Sequence, residues 1–312
     1  VLPSANFTYN FTSSKKLTAD YNTNVNEPGI TQLQPIVDNS NPLNIFVGNP
    51  DLKPEYSHTL RTRFFSFNPT TFSNFFANLN VTYTSNKITN EQTITDELVT
   101  ISTPINVEQD YRVQSFLNYG SRFPNLGIQY SLSPSFTYNR GITFINGTEN
   151  NQDLYVSRMR LRVSNLNTDK LNVSLSGSVA YTSTQFSIAK SQDRDFLQHE
   201  YGVEMDWQLP AKFSLNTELD YQIYSGLGDG FDQDIPIWQA SVSRFFLPGN
   251  KLQLSVVMMD ILNENRGVSR TNTINYTLDE EVNALGRYFQ VRLTYNVKGF
   301  ANDDTKKIRR FR

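Results

Sequence analysis

The side chains that could carry chemistry are few and scattered. Two histidines occur, His58 and His199, and no Gly-x-Ser-x-Gly turn presents a serine. A covalent hydrolase needs its nucleophile within hydrogen-bond reach of an oriented base, and spacing assembles no such constellation here. Each histidine sits near the start of a strand-like stretch, where a structural role outweighs a catalytic one. The chain holds no cysteine, which removes disulfides and thiolate metal ligands together. No enzymatic activity is expected, and no cofactor or metal is assigned. Asp229-Gly230-Phe231-Asp232-Gln233-Asp234 offers carboxylates of the kind calcium takes. It lacks the full EF-hand pattern and reads better as a solvated turn. The tail bearing Lys306, Lys307, Arg309, Arg310 and Arg312 is basic, yet the formal net charge is −2, which leaves no general footprint for nucleic acid.

With so little chemistry to position, the elements themselves become informative. Only 38% of residues are apolar and the mean hydropathy is −0.46. No segment approaches the roughly 18 consecutive apolar residues of a membrane helix. Phe (22) and Tyr (16) are nevertheless plentiful, and Asn, Thr and Ser abound. That mixture suits strands with one face in lipid and the other in water.

Strict alternation supports this. Phe75, Ala77, Leu79, Val81 and Tyr83 oppose Asn78, Asn80, Thr82 and Thr84. Phe213, Leu215, Leu219, Tyr221 and Ile223 oppose Ser214, Asn216, Glu218, Asp220 and Gln222. Phe289, Val291, Leu293, Tyr295 and Val297 oppose Gln290, Arg292, Thr294 and Asn296. Successive side chains of a strand point to opposite faces. Arg158, Arg160 and Arg162 share one face; a wet lumen takes them readily, as would the solvent face of a soluble sandwich. Length favours the membrane. One apolar parity holds from Val99 to Tyr119 and another from Ile128 to Phe144, longer than the usual globular strand of about 3–10 residues. Trp207, Phe245, Phe246, Tyr288 and Tyr295 lie near strand ends, as interfacial aromatics would.

Thirteen strands are expected, near 4–12, 16–25, 56–67, 72–90, 97–120, 126–146, 153–164, 170–187, 195–209, 211–225, 235–247, 250–260 and 286–297. Tight turns alternate with mostly longer polar links at 26–55, 91–96, 147–152, 188–194, 226–234 and 261–285. Bacterial barrels have short periplasmic turns, longer extracellular loops and an even strand number. An odd count whose last strand descends therefore predicts that earlier strands are missing. The expected class is an all-β antiparallel transmembrane β-barrel, with residues 1–298 forming its C-terminal part and 299–312 a basic periplasmic tail.

One segment carries a family resemblance. Asn41-Pro42-Leu43-Asn44-Ile45-Phe46-Val47-Gly48-Asn49-Pro50-Asp51-Leu52-Lys53-Pro54-Glu55-Tyr56 resembles the mid-barrel "GNPxLKPE" signature of TonB-dependent outer-membrane receptors. Gln32–Ser40, Gly226–Phe231, Asp260–Asn265 and Gly286–Phe289 look like its Bacteroidota branch. The resemblance implies a plugged barrel of about 22 strands, of which this chain would supply the last thirteen. It also implies import of a scarce nutrient (siderophore, cobalamin, glycan or peptide), driven through an N-terminal plug by a TonB-type partner. Other implied partners are outer-membrane lipid and a surface lipoprotein. Gly48, Asn49, Pro50, Leu52, Lys53, Pro54 and Glu55 would be structural, forming a loop that re-enters the barrel. The alternatives are a passive pore or structural barrel, and a soluble extracellular β-sheet binding protein.

Overall fold

The computed structural model describes residues 2–167, 169–188, 190, 193–226, 233–265, 268–272, 277–281 and 285–297. Its strands are β1 (Ser4–Thr12), β2 (Lys15–Asn26), β3 (Val37–Asp38), β4 (Asn44–Val47), β5 (Glu55–Asn68), β6 (Ser73–Ile94), β7 (Thr100–Phe123), β8 (Ile128–Ile145), β9 (Thr148–Asn165), β10 (Leu171–Phe186), β11 (Arg194–Leu209), β12 (Phe213–Ser225), β13 (Gln233–Phe246), β14 (Leu252–Met259), β15 (Val268–Asn272), β16 (Thr277–Glu281) and β17 (Tyr288–Tyr295). Thirteen of them form an antiparallel meander in the order β1-β2-β5 through β14-β17, and β3 and β4 extend the sheet to 15 strands. The thirteen match the strands expected from alternation. The small strands β3 and β4 and the separate β15–β16 hairpin were not read, being too short to show a period. Among the described residues, β1 and β17 each keep one edge unpaired.

Turn chemistry separates the two ends of the sheet. At one end the links are short; three open with proline, Pro69, Pro124 and Pro210, and a fourth has Pro248 as its second residue. Proline has no N–H to leave unpaired where a ladder stops. Asn68 Oδ1 accepts the N–H groups of Thr70 (2.9 Å) and Thr71 (3.3 Å), and Gly127 takes φ 63°, where a side chain would be strained. The other end carries the longer connections, with two corrections. Strand β6 runs through Ile94, so the link expected at 91–96 falls at 95–99. Residues 147–152 are not a loop, because β8 and β9 meet at Asn146-Gly147, with φ 48° and 74°. Two positive φ values in an Asn-Gly pair make the tight hairpin turn whose twist matches its strands. The polar run Thr148–Gln152 had disguised the strand.

Register aligns the alternation across the whole sheet. Tyr21 lies opposite Leu60, Leu60 opposite Val81, and Val81 opposite Val113. At the far end Leu254 faces Leu293. This apolar face is uncovered: Leu293 is 67% and Phe289 74% exposed. On three successive strands it is bounded by aromatics eight residues apart, Phe75 and Tyr83, Tyr119 and Tyr111, Tyr130 and Tyr138. Eight residues of strand tilted by about 40° span roughly 20 Å, close to the apolar band of a membrane barrel. Most of the buried apolar side chains, among them Leu52, Val107, Leu154 and Phe196, lie beyond that band at the long-loop end.

Candidate functional site

Two features stand apart from the repetitive wall: a knot at the long-loop end and the charged polar face. The knot is built on the 48–55 segment. Gly48 is buried in a space that admits no side chain, since a Cβ there would lie 2.1 Å from the Gln34 carbonyl oxygen and 2.8 Å from that of Thr31. Asn49 donates its backbone N–H to Gln32 (2.6 Å) and its side-chain amide to the Pro104 carbonyl (3.0 Å), while its Oδ1 accepts the Asp51 N–H (3.0 Å). Leu52 is buried. Pro50 and Pro54 are exposed and restrict the chain on either side of it. Lys53 is held by its backbone. Its N–H donates to Asn106 Oδ1 (2.7 Å), and its carbonyl accepts from Asn106 Nδ2 (2.9 Å). Glu55, 8% exposed, accepts from Lys87 Nζ (2.7 Å), the Ile88 N–H (2.9 Å) and Asn26 Nδ2 (3.4 Å). One carboxylate thus ties β2, β5 and β6 together.

What the knot clamps is a half-turned ribbon. Within the wall, β6 lies between β5 and β7. Beyond Asn86 (φ 51°) the β6–β7 pair continues, but its edges are exchanged. There β7 pairs in parallel with β4 on its other side, and β6 pairs with β8. Two-stranded ribbons twist more strongly than wide sheets, and the stretch above the wall gives this one room for half a revolution. Asn106, missed from sequence, bridges Lys53 and the Asn86 carbonyl (2.8 Å) at the crossing. It sits among apolar-alternating residues where any polar side chain would have fitted, so nothing in the sequence marked it.

The polar face is zoned by charge. Arg61, Arg63, Arg112, Arg158, Arg160 and Arg162 stand on β5, β7 and β9, while Glu200, Glu204, Asp206, Glu218 and Asp220 stand on β11 and β12. Between them β10 offers Ser174, Ser178, Ala180 and Thr182, all buried. These small side chains let long ones meet over them: Arg160 reaches Glu200 (3.0 Å) and Arg162 reaches Glu204 (2.9 Å). Ser178 adds a hydrogen bond to Glu200 (3.1 Å). Both pairs are half exposed, so each should contribute only about 0.2–1 kcal/mol. A double-mutant cycle on Arg160→Gln and Glu200→Gln, read by thermal unfolding in detergent, should give a coupling in that range that shrinks in high salt. A salt-insensitive coupling of several kcal/mol would contradict this placement.

The model of the outer membrane protein beta-barrel family matches residues 1–167 and 136–295. The chain belongs to that family. Comparison with curated proteins finds no match. The apolar face of this outer-membrane barrel wall is therefore its lipid face and the zoned face its lumen side. By the length rule for bacterial barrels, the short turns are periplasmic and the knot extracellular.

The remaining candidates divide as follows. His58 and His199 both stand on the lipid face. His58 accepts or donates at 2.7 Å to the Tyr21 hydroxyl, and His199 stacks on Tyr201 at 6.3 Å. Trp207, Phe246 and Tyr295 also face lipid. Phe245 and Tyr288 do not: they lie opposite Gln253 and Met259 on the other parity, so nearness to a strand end does not place a side chain in the girdle. Asp260 is buried and accepts the N–H groups of Glu264 (3.0 Å) and Asn265 (3.2 Å), a structural turn at 260–265. The Asp229–Asp234 loop lies largely outside the described residues, and the 299–312 tail wholly so. Among the described residues, no three His, Asp or Glu side chains gather to hold a metal.

Proposed function

We propose that this wall belongs to a TonB-dependent receptor, a plugged barrel of about 22 strands that imports a scarce nutrient with energy delivered through its plug. The observation that carries this reading is a set of phenylalanines on the lumen side. Phe65 lies opposite Phe76, whose ring is 6.1 Å from that of Phe116, and Phe65 and Phe116 are 46% and 41% exposed. A water-filled pore favours a polar lining, and exposing such rings to water costs roughly 25 cal/mol per Å². An occupant inside the lumen removes that cost; a passive channel does not. The two sheet edges left unpaired among the described residues support further strands, because an open edge in lipid leaves its backbone groups unpaired. The knot fits the receptor signature as a device that seats an extracellular loop.

The test is electrical. Full-length protein in a planar bilayer should show no steady conductance until the lumen is emptied by denaturant. In cells, short-term uptake of the limiting nutrient should stop when the proton-motive force is collapsed. Steady open channels, with uptake indifferent to an uncoupler, would instead establish a passive pore.

A further inference from the structure

We propose that Lys15 and Arg244 are binding points for the phosphate groups of inner-leaflet phospholipids. Both stand on the lipid face at the periplasmic rim, Lys15 at the first residue of β2 and Arg244 near the end of β13. Each lies over two aromatic rings. Lys15 Nζ lies 5.1 Å from the Phe11 ring centroid and 5.6 Å from that of Phe64. Arg244 Cζ lies 5.0 Å from both Phe213 and Phe246. The arrangement thus recurs on separate parts of the rim, built from different strands.

Neither cation has a carboxylate within ion-pair distance among the described residues, although other arginines of the wall do: Arg63 pairs with Asp20, Arg160 with Glu200 and Arg162 with Glu204. The lipid-face cation at the opposite rim, Arg140, lies 4.0 Å from Asp153. Among the described residues, Lys15 and Arg244 are therefore lipid-face cations of the periplasmic rim that no carboxylate matches. Ring faces attract a cation and fix its height without using its N–H groups, and a long stem lets the head reach the interface. At that depth the counter-charge available is the phosphodiester of a phospholipid, and several N–H donors suit its oxygens. Aromatic clamps set the depth and orientation; the lipid completes the pair.

The full-length protein can be incubated in mixed micelles of phosphatidylglycerol and an uncharged, phosphate-free galactolipid, then examined by native mass spectrometry. Wild-type protein should retain phosphatidylglycerol preferentially. Lys15→Gln with Arg244→Gln should retain about threefold less or lower still, the scale of losing a partly desolvated cation–π site. Lys15→Arg with Arg244→Lys, which keeps the charges, should restore retention. Lumenal Arg158→Gln should change nothing, and inorganic phosphate at millimolar concentration should not displace the lipid. Equal retention by the glutamine variant and wild type would overturn the proposal, as would displacement by inorganic phosphate. A glutamine variant that does not fold leaves the test to Phe64→Leu with Phe213→Leu, which must also lower retention.

Discussion

Replacing Gly48 by alanine is expected to free the 27–54 loop from the barrel while leaving the wall assembled. The Cβ would sit 2.1 Å from the Gln34 carbonyl oxygen and 2.8 Å from the Gln34 carbonyl carbon. Both are backbone atoms, so no rotamer change relieves the clash and the chain itself must move. That movement breaks the Asn49–Gln32 and Asn49–Pro104 hydrogen bonds and with them the seat of β4 against β7. A local cost of about 3 kcal/mol follows, the upper end of overpacking penalties. Gly29 is the control, because its added Cβ would meet only Gln32 Oε1 at 3.5 Å. Protease added to intact outer membranes should cut within 27–54 in G48A, but not in G29A or wild type. The boiling-dependent shift of the barrel on a gel should persist in all three. A protease-resistant G48A loop would show that the knot yields more easily than its geometry allows.

The second large effect is expected at Glu55, and it depends on pH. Burial pushes the carboxyl upward, but the Lys87 ammonium and the N–H of Ile88 outweigh it and hold the pKa below the ordinary 4.5. Glu55 lies outside the apolar band, since Tyr56 and Ser57 separate it from His58, which stands opposite Tyr83. A depressed carboxyl stabilises the fold fully above its ordinary pKa, and that contribution is lost as pH falls through the folded value. Protection of the 27–54 loop should therefore hold from neutral pH down to about 4.5 and decay below it. Glu55→Ala leaves the Ile88 N–H and the Lys87 charge without their acceptor, at about 1–3 kcal/mol. Its loop should be cut already at neutral pH, at a rate that no longer changes in acid. An acid transition surviving in E55A would assign it to another group.

Much of this wall was legible because its physics is one-dimensional. Alternation at Phe75–Tyr83 or Phe213–Ile223 needs only the pleat and two solvents, so strand and face follow directly. The short turns obey the same local logic, through Pro69, Pro124 and Pro210 and the Asn68 side chain. What escaped depends on partners distant in sequence. The parity of Ile101, Ile105 and Val107 is the same as that of Val113 and Leu117, yet Val107 is buried beyond the half turn of the ribbon and Leu117 faces lipid. Period alone cannot distinguish those fates. The glycine, asparagine and glutamate of the 48–55 segment were picked out by resemblance. Their partners Pro104 and Lys87 were not, nor was Asn106, which holds the Lys53 backbone, because each is an ordinary residue in its own stretch. Likewise the small face of β10 looked like wet-face serine until register placed arginines on one side and glutamates on the other.

One face of the sheet meets lipid and the other the lumen. Because these 312 residues contain no cysteine, single cysteines at 77 to 82 of β6 can carry a nitroxide label, and its collisions with oxygen and with a water-soluble nickel chelate can be measured in outer-membrane vesicles. Labels at 77, 79 and 81 should favour oxygen, and those at 78, 80 and 82 the chelate, in strict alternation. Uniform accessibility along the six positions, or the opposite phase, would contradict the barrel wall described here.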